Sequence, residues 1–170
     1  LFMMLASCED PNLPFQQFPE LEYGAVARLL TPVNFASAGT FTKANPAASK
    51  LTFTVDFYDE AKGKNVESFA FFVKFTDRKN AGANNKAEKN LITFNSTQFK
   101  PHPTYGTQML DVNITYDQVL TALGLTNDIV NVGDRFEFRV VITKKDGKIF
   151  TATNTSAEFV NAPNAFGFPM

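Results

Sequence analysis

The stretch Leu51-Thr52-Phe53-Thr54-Val55-Asp56-Phe57 alternates strictly between apolar and polar side chains. A period of two places every apolar side chain on the same face of an extended strand, so this stretch predicts a β-strand with one buried face. Thr, Val and Phe are also residue types that suit strands. The stretch therefore favours an all-β fold made of half-buried sheets.

Similar patterns lie on both sides of this strand. Further strands are predicted within residues 23–31, 67–76, 91–95, 109–114, 134–143, 148–153 and 158–160. The polar segment 59–64 predicts a turn that makes a hairpin of the strands before and after it, and Asp146-Gly147 predicts a second hairpin turn. Residues 77–90 carry no periodicity, so we expect a long mobile loop there.

One short helix is predicted over residues 116–123. Thr115 is suited to cap its N-terminus, its apolar side chains share one face, and Gly124 is suited to end it. We expect this helix to cross over and close one end of the sheets. Short strands, hairpin turns and a single crossover helix together predict an immunoglobulin-like antiparallel β-sandwich over residues 23–162.

The composition excludes several classes of protein. Sixteen basic and 17 acidic residues nearly balance, and a net charge of −1 gives no electrostatic footprint for nucleic acid. A single Cys and a single His leave no disulfide framework, no cysteine-ligated zinc site and few catalytic triads. We therefore expect no cofactor, no metal and no enzymatic activity. The 19 Phe and 4 Tyr, without Trp, indicate aromatic-rich sheets.

Few polar residues offer catalytic or metal-binding chemistry. The spacing of the acidic residues does not match a calcium loop, so we interpret them as solvated turn carboxylates. A glycosidase pair is compatible with strand geometry, although nothing in the sequence favours it. His102 lies between two prolines and has no partner in sequence, so we interpret it as a surface histidine of a loop. The acidic residues in question are Asp56, Asp59, Glu60 and Asp77.

Aromatic residues in loops or away from the main apolar face are the candidates for ligand contact. A planar ring can stack on the apolar face of a sugar, which makes a glycan the expected kind of ligand. The alternative is packing in the core or at sheet edges, where most aromatic side chains of β-proteins lie. The candidates are Tyr58, Phe72, Tyr105 and Tyr116.

The N-terminal segment indicates how the protein is held. Residues 1–5 are apolar, Ala6-Ser7 are small, and polar chain follows Cys8 directly, an arrangement that resembles a bacterial lipoprotein signal. In such a signal the cysteine carries the lipid. The alternative for Cys8, a buried or free thiol, fits poorly with the charged and proline-containing segment after it. We therefore interpret residues 1–7 as the tail of a truncated signal peptide and residues 8–22 as a lipidated tether.

Three regions together resemble surface lipoproteins of Bacteroidota, in particular the accessory immunoglobulin-like lipoproteins associated with SusC/SusD-type uptake systems. Leu5-Ala6-Ser7-Cys8 looks like the lipobox, and Glu9-Asp10 is similar to the acidic signal that sends such lipoproteins to the cell surface. The third region comprises strand and turn motifs at residues 55–64, 132–136 and 145–148. The resemblance implies a lipid anchor in the outer membrane, exposure at the cell surface, and glycans or outer-membrane transport proteins as partners.

The sequence thus predicts a non-enzymatic, lipid-anchored module that binds or organises something at the cell surface, with glycan uptake as the expected context. The alternative is a structural spacer of a longer lipoprotein whose active part lies beyond residue 170. In that alternative, residues 163–170 begin a linker or a further domain and the sequence is truncated there. A hydrolase is the third and least favoured interpretation.

Overall fold

A computed structural model describes residues 24–30, 41–46 and 48–154 of the 170-residue chain. One α-helix, α1, spans Tyr116–Leu123 within these ranges, and a 3₁₀ turn spans Ser96–Gln98. The strands are β1 (Val26–Leu29), β2 (Lys50–Tyr58), β3 (Val66–Thr76), β4 (Lys86–Asn95), β5 (Lys100–Pro101), β6 (Gln108–Thr115), β7 (Arg135–Lys144) and β8 (Ile149–Phe150).

The strands form two antiparallel sheets that pack face to face. The first sheet has the order β1-β2-β6-β5, and the second has the order β4-β3-β7-β8. These correspond to the orders A-B-E-D and C′-C-F-G of an immunoglobulin-type sandwich. The predicted immunoglobulin-like β-sandwich is therefore confirmed, and α1 connects β6 of the first sheet to β7 of the second.

The core between the sheets is rich in phenylalanine. Phe53, Val55 and Phe57 of β2 are buried, as the alternation of residues 51–57 predicts. The Phe53 ring lies 6.1 Å from that of Phe71 on β3, and the Phe57 ring lies 5.4 Å from that of Phe69. Each fully buried Phe side chain stabilises the fold by about 1.5–3 kcal/mol, so these contacts hold the two sheets together.

The predicted hairpin of β2 and β3 is wrong, because the two strands belong to different sheets. The turn between them crosses from one sheet to the other and is fixed by the Asp59 carboxylate. Gly63 has a φ of +82°, and an added Cβ would lie 2.7 Å from the Phe57 carbonyl oxygen, so the crossing requires glycine there. The carboxylate accepts hydrogen bonds from the backbone N–H groups of Ala61 (2.7 Å), Gly63 (2.7 Å) and Asn65 (3.1 Å).

The expectation of a long loop over residues 77–90 is wrong for its second half, because β4 begins at Lys86. The first half is a turn built around the buried Asp77 carboxylate. Hydrogen bonds from backbone N–H groups, that of Asn80 above all, hold the pKa of Asp77 below its usual range. β4 shows no alternation because it is an edge strand with a register shift, and charged residues are typical of such edges.

The helix begins and ends where the sequence predicts. The Thr115 hydroxyl accepts from the Gln118 N–H at 3.2 Å, and the Gln118 side chain accepts from the Thr115 N–H at 2.8 Å. This reciprocal arrangement is a capping box, and Gly124 closes the other end with a φ of +63°. No helix in the described part of the chain is long and apolar enough to span a bilayer.

The hairpin at Asp146-Gly147 is confirmed, with Gly147 at a φ of +83°. Its second strand, β8, is shorter than the predicted 148–153 and pairs with β7 at two positions only within the described residues. The predicted strand at 158–160, the signal peptide tail, the tether and residues 163–170 lie outside the described residues.

Candidate functional site

The outer face of the first sheet holds the candidate site. Because Phe57 points into the core, its neighbours Asp56 and Tyr58 lie on or towards the opposite face of β2. Arg28 on β1 is the register partner of Asp56, so the two side chains share that face. The site is therefore assembled on adjacent strands at one end of the sheet.

A bidentate ion pair forms the base of the site. Arg28 Nε donates to Asp56 Oδ1 at 3.0 Å, and Arg28 Nη2 donates to Oδ2 at 2.9 Å. The Thr107 hydroxyl also donates to Oδ2, at 2.9 Å. The Asp56 side chain is 0% exposed and that of Arg28 is 31% exposed. The bond to Asp56 raises the pKa of Arg28, and the two parallel bonds fix the plane of its guanidinium.

Two tyrosine rings contact this guanidinium, and the histidine ring stacks on one of them. Arg28 Cζ lies 4.6 Å from the centroid of the Tyr58 ring and 5.2 Å from that of Tyr105. The Tyr105 ring also stacks with the imidazole of His102, with centroids 4.5 Å apart and an angle of 25° between the planes. We call Tyr58, Arg28, Tyr105 and His102 the stacked row. Tyr105 is 52% exposed, so the row reaches the surface.

The loop between β5 and β6 positions Tyr105 and is held by His102. His102 Nδ1 accepts from the backbone N–H groups of Thr104 and Tyr105, both at 3.1 Å. The His102 N–H donates to the Thr107 carbonyl at 2.7 Å, and the Gly106 N–H donates to the His102 carbonyl at 3.1 Å. His102 is therefore an organising residue of the loop, and its Nε2 carries the hydrogen when the imidazole is neutral.

Further polar side chains lie on the same outer face of the first sheet, beside the stacked row. The Thr54 hydroxyl donates to Asp111 Oδ1 at 2.7 Å, and Lys100 Nζ forms a salt bridge with Asp111 Oδ2. Lys100 on β5 is also the main cause of the lowered pKa of Asp111. The outer face thus combines planar groups with hydroxyl and charged groups.

The structure places the four predicted contact residues in three different surroundings. Tyr58 and Tyr105 come together around Arg28. Phe72 lies on the second sheet, beneath the guanidinium of Arg139 at 4.5 Å. The expectation that Tyr116 is off the apolar face is wrong, because the first residue of α1 faces the core and its side chain is 1% exposed.

Tyr116 belongs to the packing at the other end of the sandwich. Its ring stacks with that of Phe41 at 5.1 Å, and burial raises the pKa of its hydroxyl. That hydroxyl has no hydrogen-bond partner within the described ranges. Tyr116 therefore offers no accessible surface for a ligand.

The interpretation of the acidic residues as solvated turn carboxylates is wrong for Asp56 and Asp77, which are buried. Asp59 holds the turn that follows β2, and Glu60 pairs with Lys144 Nζ at 3.0 Å. Each carboxylate is thus engaged with local donors. In the described part of the chain, no three His, Cys, Asp or Glu side chains converge on a point where a metal would bind.

The sequence interpretation missed Arg28, although a signal was present. Arg28 is the only charge in the apolar stretch Ala25-Val26-Ala27-Arg28-Leu29-Leu30. Burial of an unpaired charge is costly, so a charged residue inside an apolar strand predicts a partner of opposite charge on a neighbouring strand. The partner, Asp56, is 28 residues further along the chain. The sequence therefore indicates that Arg28 has an acidic partner but does not show which residue it is.

Comparison with protein-family models, with curated proteins and with solved structures gives no match for this chain. Functional inference therefore rests on the site and on the sequence of the N-terminal segment. Cys8, Glu9 and Asp10 lie outside the described residues.

Proposed function

We propose that the protein is a non-enzymatic binding module, held at the outer surface of the outer membrane by lipid on Cys8, and that it contacts a glycan through the stacked row. The stacked row is the observation that carries the proposal. Its groups are fixed by Asp56, Thr107 and the loop backbone. Ordering a flexible side chain on binding costs about 0.5–1.5 kcal/mol, so a surface ordered in advance binds more tightly.

The chemistry of the row supports a sugar as the ligand. Tyr58 and Tyr105 each combine an apolar ring with a polar hydroxyl, which matches the apolar C–H faces and the hydroxyl groups of a sugar. Arg28 uses Nε and Nη2 on Asp56, so Nη1 is the donor group of the guanidinium that remains for a ligand, and the neutral His102 imidazole can donate from Nε2. Because the Tyr105 ring lies between Arg28 and His102, the row presents ring edges, tyrosine hydroxyls and hydrogen-bond donors to a ligand.

The engagement of Asp56 supports binding rather than catalysis. A general base needs a lone pair within reach of the proton that it removes. Both oxygens of Asp56 already accept bonds from Arg28 or Thr107, and the carboxylate is buried beneath them. We therefore assign Asp56 the task of holding Arg28.

A glycan array tests the binding proposal. The chain with Cys8→Ser, which removes the lipid, is expected to bind at least one polysaccharide, and Tyr105→Ala is expected to abolish that binding. The matched control is Val132→Ala, which shortens a 94% exposed side chain before β7, away from the row. A blank array, or binding that is unchanged by Tyr105→Ala, contradicts the proposal. A blank array combined with binding by a domain beyond residue 170 favours the structural spacer.

Cell fractionation tests the anchor separately. Cys8→Ser is expected to move the protein from the outer membrane to the soluble fraction, because two or more lipid chains are needed for stable anchoring. Replacing Glu9 and Asp10 by Ala is expected to keep the protein in the membrane but to protect it from protease added to intact cells. Unchanged fractionation of Cys8→Ser overturns the lipid anchor.

A further inference from the structure

We propose that His102 is a pH-sensitive positioning residue, which holds Tyr105 in the stacked row only while its imidazole is neutral. The consequence for binding, release of the ligand in acid, rests on the proposed function. The effect on the loop does not require a ligand, so it is measured on the protein alone.

The imidazole of His102 accepts two hydrogen bonds from the backbone of its own loop. Nδ1 accepts from the N–H groups of Thr104 and Tyr105, both at 3.1 Å. A neutral imidazole has one acceptor nitrogen, whereas an imidazolium has two donors and no acceptor. Protonation of His102 therefore replaces both hydrogen bonds by contacts between donors, and the backbone of Thr104 and Tyr105 has to move away.

The ends of the loop are held by bonds that protonation does not touch. The His102 N–H donates to the Thr107 carbonyl at 2.7 Å, and the Thr107 hydroxyl donates to Asp56. The flanking residues Pro101 and Pro103 restrict the backbone on both sides of His102. The movement is therefore confined to the tip of the loop, which carries Tyr105.

The groups around His102 do not compensate for the lost bonds. The element packed against it is its own loop, where Tyr105 stacks on the imidazole. Arg28 of β1 lies against Tyr105, with Asp56 and Tyr58 of β2 beyond it, and Lys100 of β5 pairs with Asp111 of β6. Both carboxylates are already bound to cations, and His102 has no salt bridge within the described ranges. Neither ion pair offers a free carboxylate that could replace the hydrogen bonds lost on protonation.

Nuclear magnetic resonance of the Cys8→Ser chain tests the inference. The chain has a single His, so one imidazole resonance reports the protonation state directly. We expect the amide signals of Thr104 and Tyr105 to shift together with this imidazole resonance when the pH is changed. Protection of these two amides from exchange is expected to fall about fivefold as the imidazole takes a proton.

His102→Asn is the matched variant, because its side-chain oxygen is an acceptor that does not titrate. We expect this variant to keep both amides protected throughout the pH range, and His102→Ala to lose protection at every pH. Wild-type amides that do not respond while the imidazole titrates overturn the inference. An Asn variant that loses protection in acid as the wild type does also overturns it.

A glycan found on the array supplies the second readout. Wild-type binding is expected to weaken about tenfold when the imidazole is protonated. Binding by His102→Asn, which lacks the ring and the Nε2 donor, is expected to be weaker than that of the wild type but independent of pH. A blank array defeats the proposed function, while the amide titration still decides the role of His102. Glycan binding together with unresponsive amides defeats the role of His102 and leaves the proposed function standing.

Discussion

Two arginines lie on aromatic rings at the outer faces of the two sheets, yet their surroundings differ. Arg28 on the first sheet contacts two tyrosine rings and binds Asp56, which is 0% exposed. Arg139 on the second sheet covers Phe72 and binds Glu88, and these two charged side chains are 38% and 37% exposed. The Arg28 pair joins neighbouring strands, whereas the Arg139 pair reaches from β7 across β3 to β4. Both pairs have bidentate geometry.

The difference in burial gives the two pairs different roles. A buried carboxylate without its partner is costly, so Arg28 and Asp56 depend on each other. An exposed pair gains little, because water and salt screen it. Neighbouring charges on the second sheet follow the exposed pattern, as in the salt bridge of Lys74 with Glu137 at 2.6 Å. The first sheet therefore carries an ordered site, and the second carries a solvated face.

Removal of Arg28 is expected to have the largest effect. Arg28→Met leaves Asp56 buried with Thr107 as its remaining side-chain donor, and we expect the free energy of unfolding to fall by about 3 kcal/mol. Urea denaturation followed by circular dichroism measures the change. A loss below about 1 kcal/mol, the level of an exposed pair, would show that Asp56 finds water or another donor.

Removal of both partners is expected to restore much of that loss. Arg28→Met combined with Asp56→Leu leaves no buried charge, and we expect about 2 kcal/mol of the lost stability to return. Part of the loss persists, because the Thr107 hydroxyl loses its acceptor. If the double variant is less stable than Arg28→Met alone, the buried charge is not the source of the cost. The glycan array provides a second measurement, since binding is expected to stay lost without the guanidinium.

The parts of the fold that depend on local patterns are those that the sequence predicts. The alternation of residues 51–57 and the cap residues Thr115 and Gly124 act within one strand or one helix, and each predicted element is present. The path of the chain after β2 could not be predicted from a local pattern. A polar turn is compatible with a hairpin or with a crossing, and the bonds of Asp59 to the backbone N–H groups that follow it select the crossing.

The candidate site could be predicted only in part, because it too depends on contacts between residues that are distant in sequence. Tyr58 and Tyr105 are identifiable as aromatic residues away from the apolar face, but the guanidinium between them comes from β1. The pairing of Arg28 with Asp56 is set by the register of two strands that are distant in sequence. Tyr116 illustrates the opposite error, because its burial depends on how α1 docks on the sheets.

Removal of Arg139 on the second sheet is expected to have a smaller effect. Arg139→Met is expected to lower the free energy of unfolding by about 0.5 kcal/mol, since both partners of the Glu88 pair are exposed. The loss is expected to shrink between about 0.15 M and about 1 M NaCl, because the Debye length falls to about 3 Å. The loss caused by Arg28→Met is expected to change little over the same range. An Arg139→Met effect as large and as salt-insensitive as that of Arg28→Met would remove the distinction between the two faces.

The acid sensitivity of the exposed pair is the smallest expected effect. The bond to Arg139 lowers the pKa of Glu88 below its ordinary value of 4.5. Because the folded pKa lies below the unfolded one, the pair stabilises the fold above pH 4.5, and this contribution is lost as the pH falls through the lower folded value. The exposure of Glu88 limits the contribution to about 0.5 kcal/mol, since solvent screens the pair.

Glu88→Gln removes this titration and leaves the other carboxylates of the chain in place. Its cost in the free energy of unfolding, measured by urea denaturation, is therefore expected to be present at about pH 7 and smaller at about pH 3, because the contribution of the charged pair declines as the pH falls below 4.5. A cost that is equal at both pH values would show that Glu88 acts through packing over Phe72 and Arg139 rather than through its charge.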